Sequence, residues 1–236
     1  MDYAELPLPP ELDGFVAAVW TMSAGGDGWI EHEAAPDGCI ELIRRHSGRS
    51  VWREAQPPLF VTGLAQTTAK LAFSGDARFT AIKLWPWAWH ALGGALCPGF
   101  ADGWRAIAAT DPLAALLPES GDPLPALVRA FASISLPPIA AVRTAATVEE
   151  ITRATGLPHR SLQRLFARDF GMPPRSYLRL LRFRDALIEV QSSPEPLADA
   201  AAATGYADQA HMARDFRTLA GLPPREARAR AKGPFV

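Results

Sequence analysis

Two cysteines, Cys39 and Cys97, in 236 residues are too few for a disulfide framework. They form no Cys-x-x-Cys pair, so the chain suits a reducing compartment and both read as ordinary buried thiols. No stretch approaches the roughly 18 consecutive apolar residues of a membrane span. The N-terminus, with Asp2, Glu5 and several prolines, has neither the basic nor the apolar region of a secretory leader. A cytoplasmic location and no membrane partner are therefore expected. Signatures of catalysis are missing too: no Gly-x-Ser-x-Gly, no Walker loop, no Gly-x-Gly-x-x-Gly after a strand and no His-Glu-x-x-His. Histidines number five; His46 reads as a loop residue and His90 as part of a helix surface. These absences predict no enzyme activity and no cofactor.

What is present is a globular composition, 48% hydrophobic and 21% charged, of a length that suits one large or two ordinary domains. The formal net charge of −1 conceals an asymmetry. Residues 142–236 carry 15 Lys and Arg against 10 Asp and Glu, whereas residues 1–141 carry 9 against 15. An arginine-rich half is the electrostatic footprint of phosphate binding, weak evidence when taken alone. All seven tryptophans lie in the acidic half. The two compositions meet where Pro118, Gly121, Pro123, Pro125, Pro137 and Pro138 interrupt the pattern. The expected organisation is a β-rich domain at 1–117, a linker with a helix in it at 118–137 and a helical domain at 138–236.

The helical part contains the same punctuation twice. Ala-Thr-Gly ends at Gly156 and again at Gly205, and Arg164, Phe166, Gly171, Pro173, Pro174 and Arg175 recur 50 residues later as Arg214, Phe216, Gly221, Pro223, Pro224 and Arg225. Two copies are too few for a solenoid. In the first copy, Thr147 and Glu150 make a capping box that starts a helix ending at Gly156. Pro158 suits the first position of a second helix, which Gly171 and Pro173 terminate. Helix, glycine turn, helix is the plan in which the second helix enters the DNA major groove.

Leu162, Leu165 and Phe166 supply that helix's inward face, and Arg160, Gln163 and Arg164 lie together on the opposite one. Arginine grips guanine bidentately and glutamine adenine, so this is suitable reading chemistry; a merely solvated face is the alternative. In the second copy Asp208 is placed to cap, and Gln209, His211 and Arg214 come nearest to the same parts. Ala210 stands where the first copy has Arg160, which makes this helix the poorer reader. Residues 175–190 lack Gly and Pro and read as one helix of about 24 Å, able to space two units along DNA. Arg175, Arg179 and Arg182 form a stripe along it, for phosphate or for solvent.

These residues resemble the DNA-binding domain of AraC-type (AraC/XylS) transcription regulators. The carriers are LPHRSLQRLFARDFGMPPRSYLRLLRFRDAL and ATGYADQAHMARDFRTLAGLPPREAR. The resemblance implies two helix-turn-helix units on adjacent major grooves of double-stranded DNA, with Arg160, Gln163 and Arg164 at base-reading positions of the first and Gln209 and Arg214 at those of the second. It implies RNA polymerase as a partner if the protein activates. Ala210-His211-Met212 departs from the usual Ser-Tyr-Phe. The usual first helix is shortened to residues 138–146, unless residues 124–134 replace part of its packing.

The first half reads as a β-rich barrel or sandwich, so the whole chain is expected to be α+β, with a C-terminal all-α domain of two helix-turn-helix units joined by a long helix. Its apolar runs at 15–20, 39–43, 59–61, 69–73 and 79–84 are separated by Gly, Pro and Asp turns. Leu12 to Trp20, Ala35-Pro-Asp-Gly-Cys-Ile-Glu-Leu42, Val61-Thr-Gly63 and Phe79 to Pro86 are similar to a poorly understood domain that precedes such DNA-binding domains, which implies a sensor or dimerisation role without naming a ligand. His32, Asp37, Cys39 and Glu41 lie near one another but show no recognised zinc spacing. Trp85-Pro86-Trp87-Ala88-Trp89 could line an apolar pocket, or serve as core or a subunit contact. Trp20, Glu41 and Trp85 are the expected pocket residues for a small-molecule effector. The alternatives are a β-domain enzyme or metal-binding protein carrying a DNA-binding tail, and a regulator whose first domain only makes a homodimer.

Overall fold

The computed structural model describes residues 1–94 and 100–229, so Cys97 lies outside the described residues. The apolar runs become strands of two antiparallel sheets. β1 (Asp2–Glu5), β2 (Val16–Ser23), β4 (Ile40–Ser47), β7 (Leu59–Thr62), β9 (Arg78–Leu84) and β10 (Trp104–Ala106) pair in the order β1-β2-β9-β4-β7-β10. The second sheet joins β3 (Trp29–Ala34), β8 (Ala69–Ser74), β5 (Ser50–Trp52) and β6 (Glu54–Ala55) in the order β3-β8-β5-β6.

Alternation along each strand divides side chains between two layers. Trp20, Met22, Ile43, Phe60, Phe73 and Phe79 form a cluster between the sheets. Val19, Ile40, Leu42, Ile82 and Leu84 belong instead to a second cluster with α1 (Pro86–Ala91), α2 (Leu124–Phe131) and part of the helical half. The large sheet is thus buried on both faces, which is why its central strands read as continuous apolar runs. His46 is on β4, not in a loop, and its ring meets the Thr80 hydroxyl at 2.9 Å across to β9.

The helical half contains α3 (Val148–Thr155), α4 (His159–Asp169), α5 (Pro174–Ser192), α6 (Leu197–Ala203), α7 (Gln209–Leu219) and α8 (Pro224–Ala229). Thr147 Oγ1 accepts from the Glu150 N–H at 3.2 Å, while the Glu150 carboxylate reaches the Ala146 N–H at 2.7 Å, one residue before the reciprocal partner. Gly156 (φ +67°) and Gly205 (φ +76°) take the left-handed conformation at the two turns. Pro158 precedes α4 as its cap instead of opening it. Residues 138–146 yield only a 3₁₀ helix, Pro138–Arg143, packed on α3. Helix α2 packs on the 3₁₀ turns Pro10–Leu12 and Pro112–Leu116, with Phe131 stacked on Phe15 at 4.6 Å.

The two units sit in different cores. Leu162, Phe166, Phe170, Tyr177 and Leu181 of the first share the cluster of the β half. The second unit encloses its own, around Phe183, Leu187, Val190, Tyr206, Met212 and Phe216. Helix α5 belongs to both, and its 19 residues span about 28 Å. Among the described residues, no helix is long and apolar enough to cross a membrane.

Candidate nucleic-acid interface and effector cavity

On α4, Leu162 and Phe166 are fully buried, whereas Arg160, Gln163 and Arg164 are all exposed. The Arg164 guanidinium donates to the Ser161 hydroxyl at 3.3 Å. On α7, Asp208 caps by accepting from the His211 N–H at 2.6 Å, and Gln209, Ala210 and Arg214 are exposed. His211 is half-buried with its ring edge-on to Tyr206 at 5.1 Å, so part of its surface is committed to packing.

The arginine stripe on α5 divides. Arg175 is exposed. Arg179 donates to Asp215 Oδ1 at 2.8 Å, and Arg182 lies over Tyr206 at 5.3 Å. Asp215 is buried beside Tyr206. Arg179 therefore ties α7 to α5.

The β half grips both units. The Tyr177 hydroxyl of α5 donates to Gly38 O at 2.8 Å, and Trp87 of α1 packs on Phe170 at 6.4 Å. His90, expected on a helix surface, is half-buried with Nε2 2.9 Å from Asp169 O; a carbonyl only accepts, so that nitrogen carries the proton. The Thr68 N–H donates to Leu219 O at 2.8 Å. Asp169 and Leu219 are the last residues of α4 and α7 and stand 50 apart, so the two helices are held at equivalent carbonyls.

Between the sheets lies a cavity of about 110 Å³ whose lining includes Trp20 and Glu41. Trp85 stands outside it. Its ring stacks on Trp87 (5.4 Å, 2°), with the guanidinium groups of Arg143 and Arg184 at 5.7 and 5.2 Å, beside an open cleft of about 820 Å³ that runs along α5. Asp37, Cys39 and Lys83 line both spaces.

Lys83 Nζ is 2.7 Å from Asp37 Oδ2 and 3.3 Å from Glu41 Oε1. Burial opposes every charge here. For Lys83 the two carboxylates outweigh that cost and hold its pKa above the ordinary range. Burial works against the Asp37 charge as well, but Lys83, the Cys39 N–H and Arg184 together bring its carboxyl below the usual range. At Glu41, burial and repulsion from Asp37 exceed the attraction of Lys83, so its pKa is raised. Burial, then Asp37, pushes the Cys39 thiol well up, which leaves it a poor nucleophile. His32 lines the same cavity, and burial lowers it to about 4. Among the described residues, no three of His, Cys, Asp and Glu are grouped as a metal ion requires.

Sequence reasoning overlooked Lys83, Ser50, Thr68 and Tyr177. Only Lys83 left a signal, as a lone charge inside an apolar run.

Comparison with known families gives two matches. Residues 151–230 match the family described as "Helix-turn-helix domain" and residues 5–102 the "Domain of unknown function (DUF6597)". YkgA of Escherichia coli (strain K12), provisionally named as an HTH-type transcriptional regulator, is 31% identical over 84 residues, which are 36% of this chain and 35% of YkgA. The chain thus spans about a third of that relative's length. A structure described as an AraC-type DNA-binding-domain-containing regulator from Chromobacterium violaceum is 26% identical, covering 40% of this chain and 85% of that one at a TM-score of 0.37. ToxT from Vibrio cholerae matches in fold over 99% of this chain and 100% of its own, with a TM-score of 0.50 and 9% identity. The chain therefore carries an N-terminal segment that matches a domain of unknown function and a C-terminal segment that matches a helix-turn-helix domain, each over less than half of its length.

Proposed function

We propose that this protein is a cytoplasmic, sequence-specific regulator of transcription that reads double-stranded DNA with α4 and α7 and responds to an effector through its β domain. One observation carries the reading: α4 is pinned by Leu162 and Phe166 into the core while Arg160, Gln163 and Arg164 stay exposed on one face, even with the β domain docked. Arg160 and Arg164 are assigned to guanine edges and Gln163 to adenine. Gln209 and Arg214 play the corresponding parts on α7, with His211 at the margin. Arg175 is assigned to phosphate and Arg179 to holding α7 in place.

Two wall segments of the cavity connect it to the helices. Ala35, Asp37 and Cys39 flank Gly38, which receives the Tyr177 hydroxyl, and Ala65 and Ala69 flank Thr68, which holds α7. A ligand that moves either segment shifts the population of docked helices and hence DNA occupancy. Arg164→Ala tests the reading role. It is expected to weaken the preferred site by about 1–3 kcal/mol and to relax base preference at one position. An equal loss on all duplexes would make Arg164 a phosphate contact.

A further inference from the structure

The cavity between the sheets is lined by residues of both. Trp52, Phe60, Phe73 and Phe79 are among its walls, and so are Trp20 and Ser50, residues only 6% and 2% exposed whose buried Nε1 and Oγ find no hydrogen-bond partner among the described residues. Buried donors without partners are costly, so a site that keeps two of them is matched to acceptors brought from outside. Its volume, about 110 Å³, exceeds what one water fills and approaches the roughly 150 Å³ of a cavity that binds a single aromatic ring.

The charge on the floor then selects among ring-sized ligands. The Lys83 ammonium is already shared by Asp37 and Glu41. A ligand carboxylate would be a third anion on one cation, and a ligand cation would meet Lys83 itself in a poorly solvated space. We infer that the cavity binds an uncharged, single-ring molecule whose acceptor atoms take hydrogen bonds from Trp20 Nε1 and Ser50 Oγ. This rests on the effector-sensing reading of the β domain.

Benzamide, benzoate and benzamidine have nearly the same shape and differ in charge, so they isolate the claim. Calorimetric titration of the full-length protein should show benzamide binding and the two charged probes binding at least ten-fold more weakly. Trp20→Phe keeps a ring but removes the N–H, and Ser50→Ala is a milder second variant. Each, once shown to melt cooperatively, should weaken benzamide at least five-fold. Benzoate or benzamidine binding as well as benzamide would overturn the inference. So would benzamide affinity unchanged in both folded variants, or no binding of any probe to folded wild type. DNA binding is scored separately: if it stays sequence-specific while the probes fail, the ligand assignment falls and DNA reading stands. If benzamide binds as expected but leaves DNA occupancy unchanged, the ligand class stands and the effector reading falls.

Discussion

Replacing Lys83 by Met removes one ammonium from between two carboxylates while nearly keeping the length and apolar stem of the side chain. The side chains of Lys83, Asp37 and Glu41 are only 7%, 14% and 20% exposed. Deleting one partner of a buried ion pair costs about 3–5 kcal/mol, chiefly because the other charge is left uncompensated. Asp37 and Glu41 retain some access to water, which places Lys83→Met near the lower end, about 3 kcal/mol at neutral pH. The loss also has a signature in pH. Without Lys83, burial and mutual repulsion hold both carboxyls above their unfolded values. Groups of that kind stabilise the fold below the unfolded pKa and lose the contribution as pH rises, so the penalty should shrink as pH falls through the ordinary carboxylate range and grow as pH rises above it. Urea unfolding at several pH values measures it, and adding Asp37→Asn should recover part of the loss. A variant within about 1 kcal/mol of wild type at neutral pH, or a loss independent of pH, would refute the electrostatic account of this site.

Three further expectations follow from single contacts. Gly38→Ala forces a side chain onto φ +82° and puts its Cβ 2.8 Å from Leu181 Cδ2; a cost of about 1–2 kcal/mol is expected, read as faster hydrogen exchange in the first turns of α5. Burial holds His32 at about 4, below its ordinary 6.5, so its contribution is complete above the unfolded value and lost as pH falls towards 4; the upper bound is about 3 kcal/mol, and His32→Gln should flatten that part of the stability profile. Arg179→Met strands the Asp215 carboxylate, 6% exposed, and should cost about 2–3 kcal/mol once the partial exposure of the arginine is allowed for. Exchange should rise in α7 before α4, and Asp215→Asn should restore it.

The helical half was legible because its signals are local. The Thr147 cap, the glycines at 156 and 205, and the apolar positions 162 and 166 each act within one turn of chain, and a 50-residue repetition doubles the signal. Five strands were legible for the same reason. Of the smaller sheet only β8 was: β3, Trp-Ile-Glu-His-Glu-Ala, is half polar with Trp29 half exposed, and β5 has three residues. The candidate site depended on non-local pairing. Trp20 and Glu41 share a cavity and Trp85 does not, because which sheet face meets which layer is settled by tertiary packing. The arginine stripe on α5 shows the same limit: residues 175, 179 and 182 look alike along the helix, and only the fold sets Asp215 beside Arg179.

The central claim is that exposed side chains of α4 read DNA sequence. Its most direct test is selection of binding sites from a random duplex library by wild type and by the Arg160→Ala/Arg164→Ala variant, side by side at near-physiological salt. A motif of two blocks about one helical turn apart is expected, with the block read by α4 lost or altered in the variant. Enrichment of no motif by folded wild type, with and without an effector panel, or an identical motif from both proteins, would contradict it.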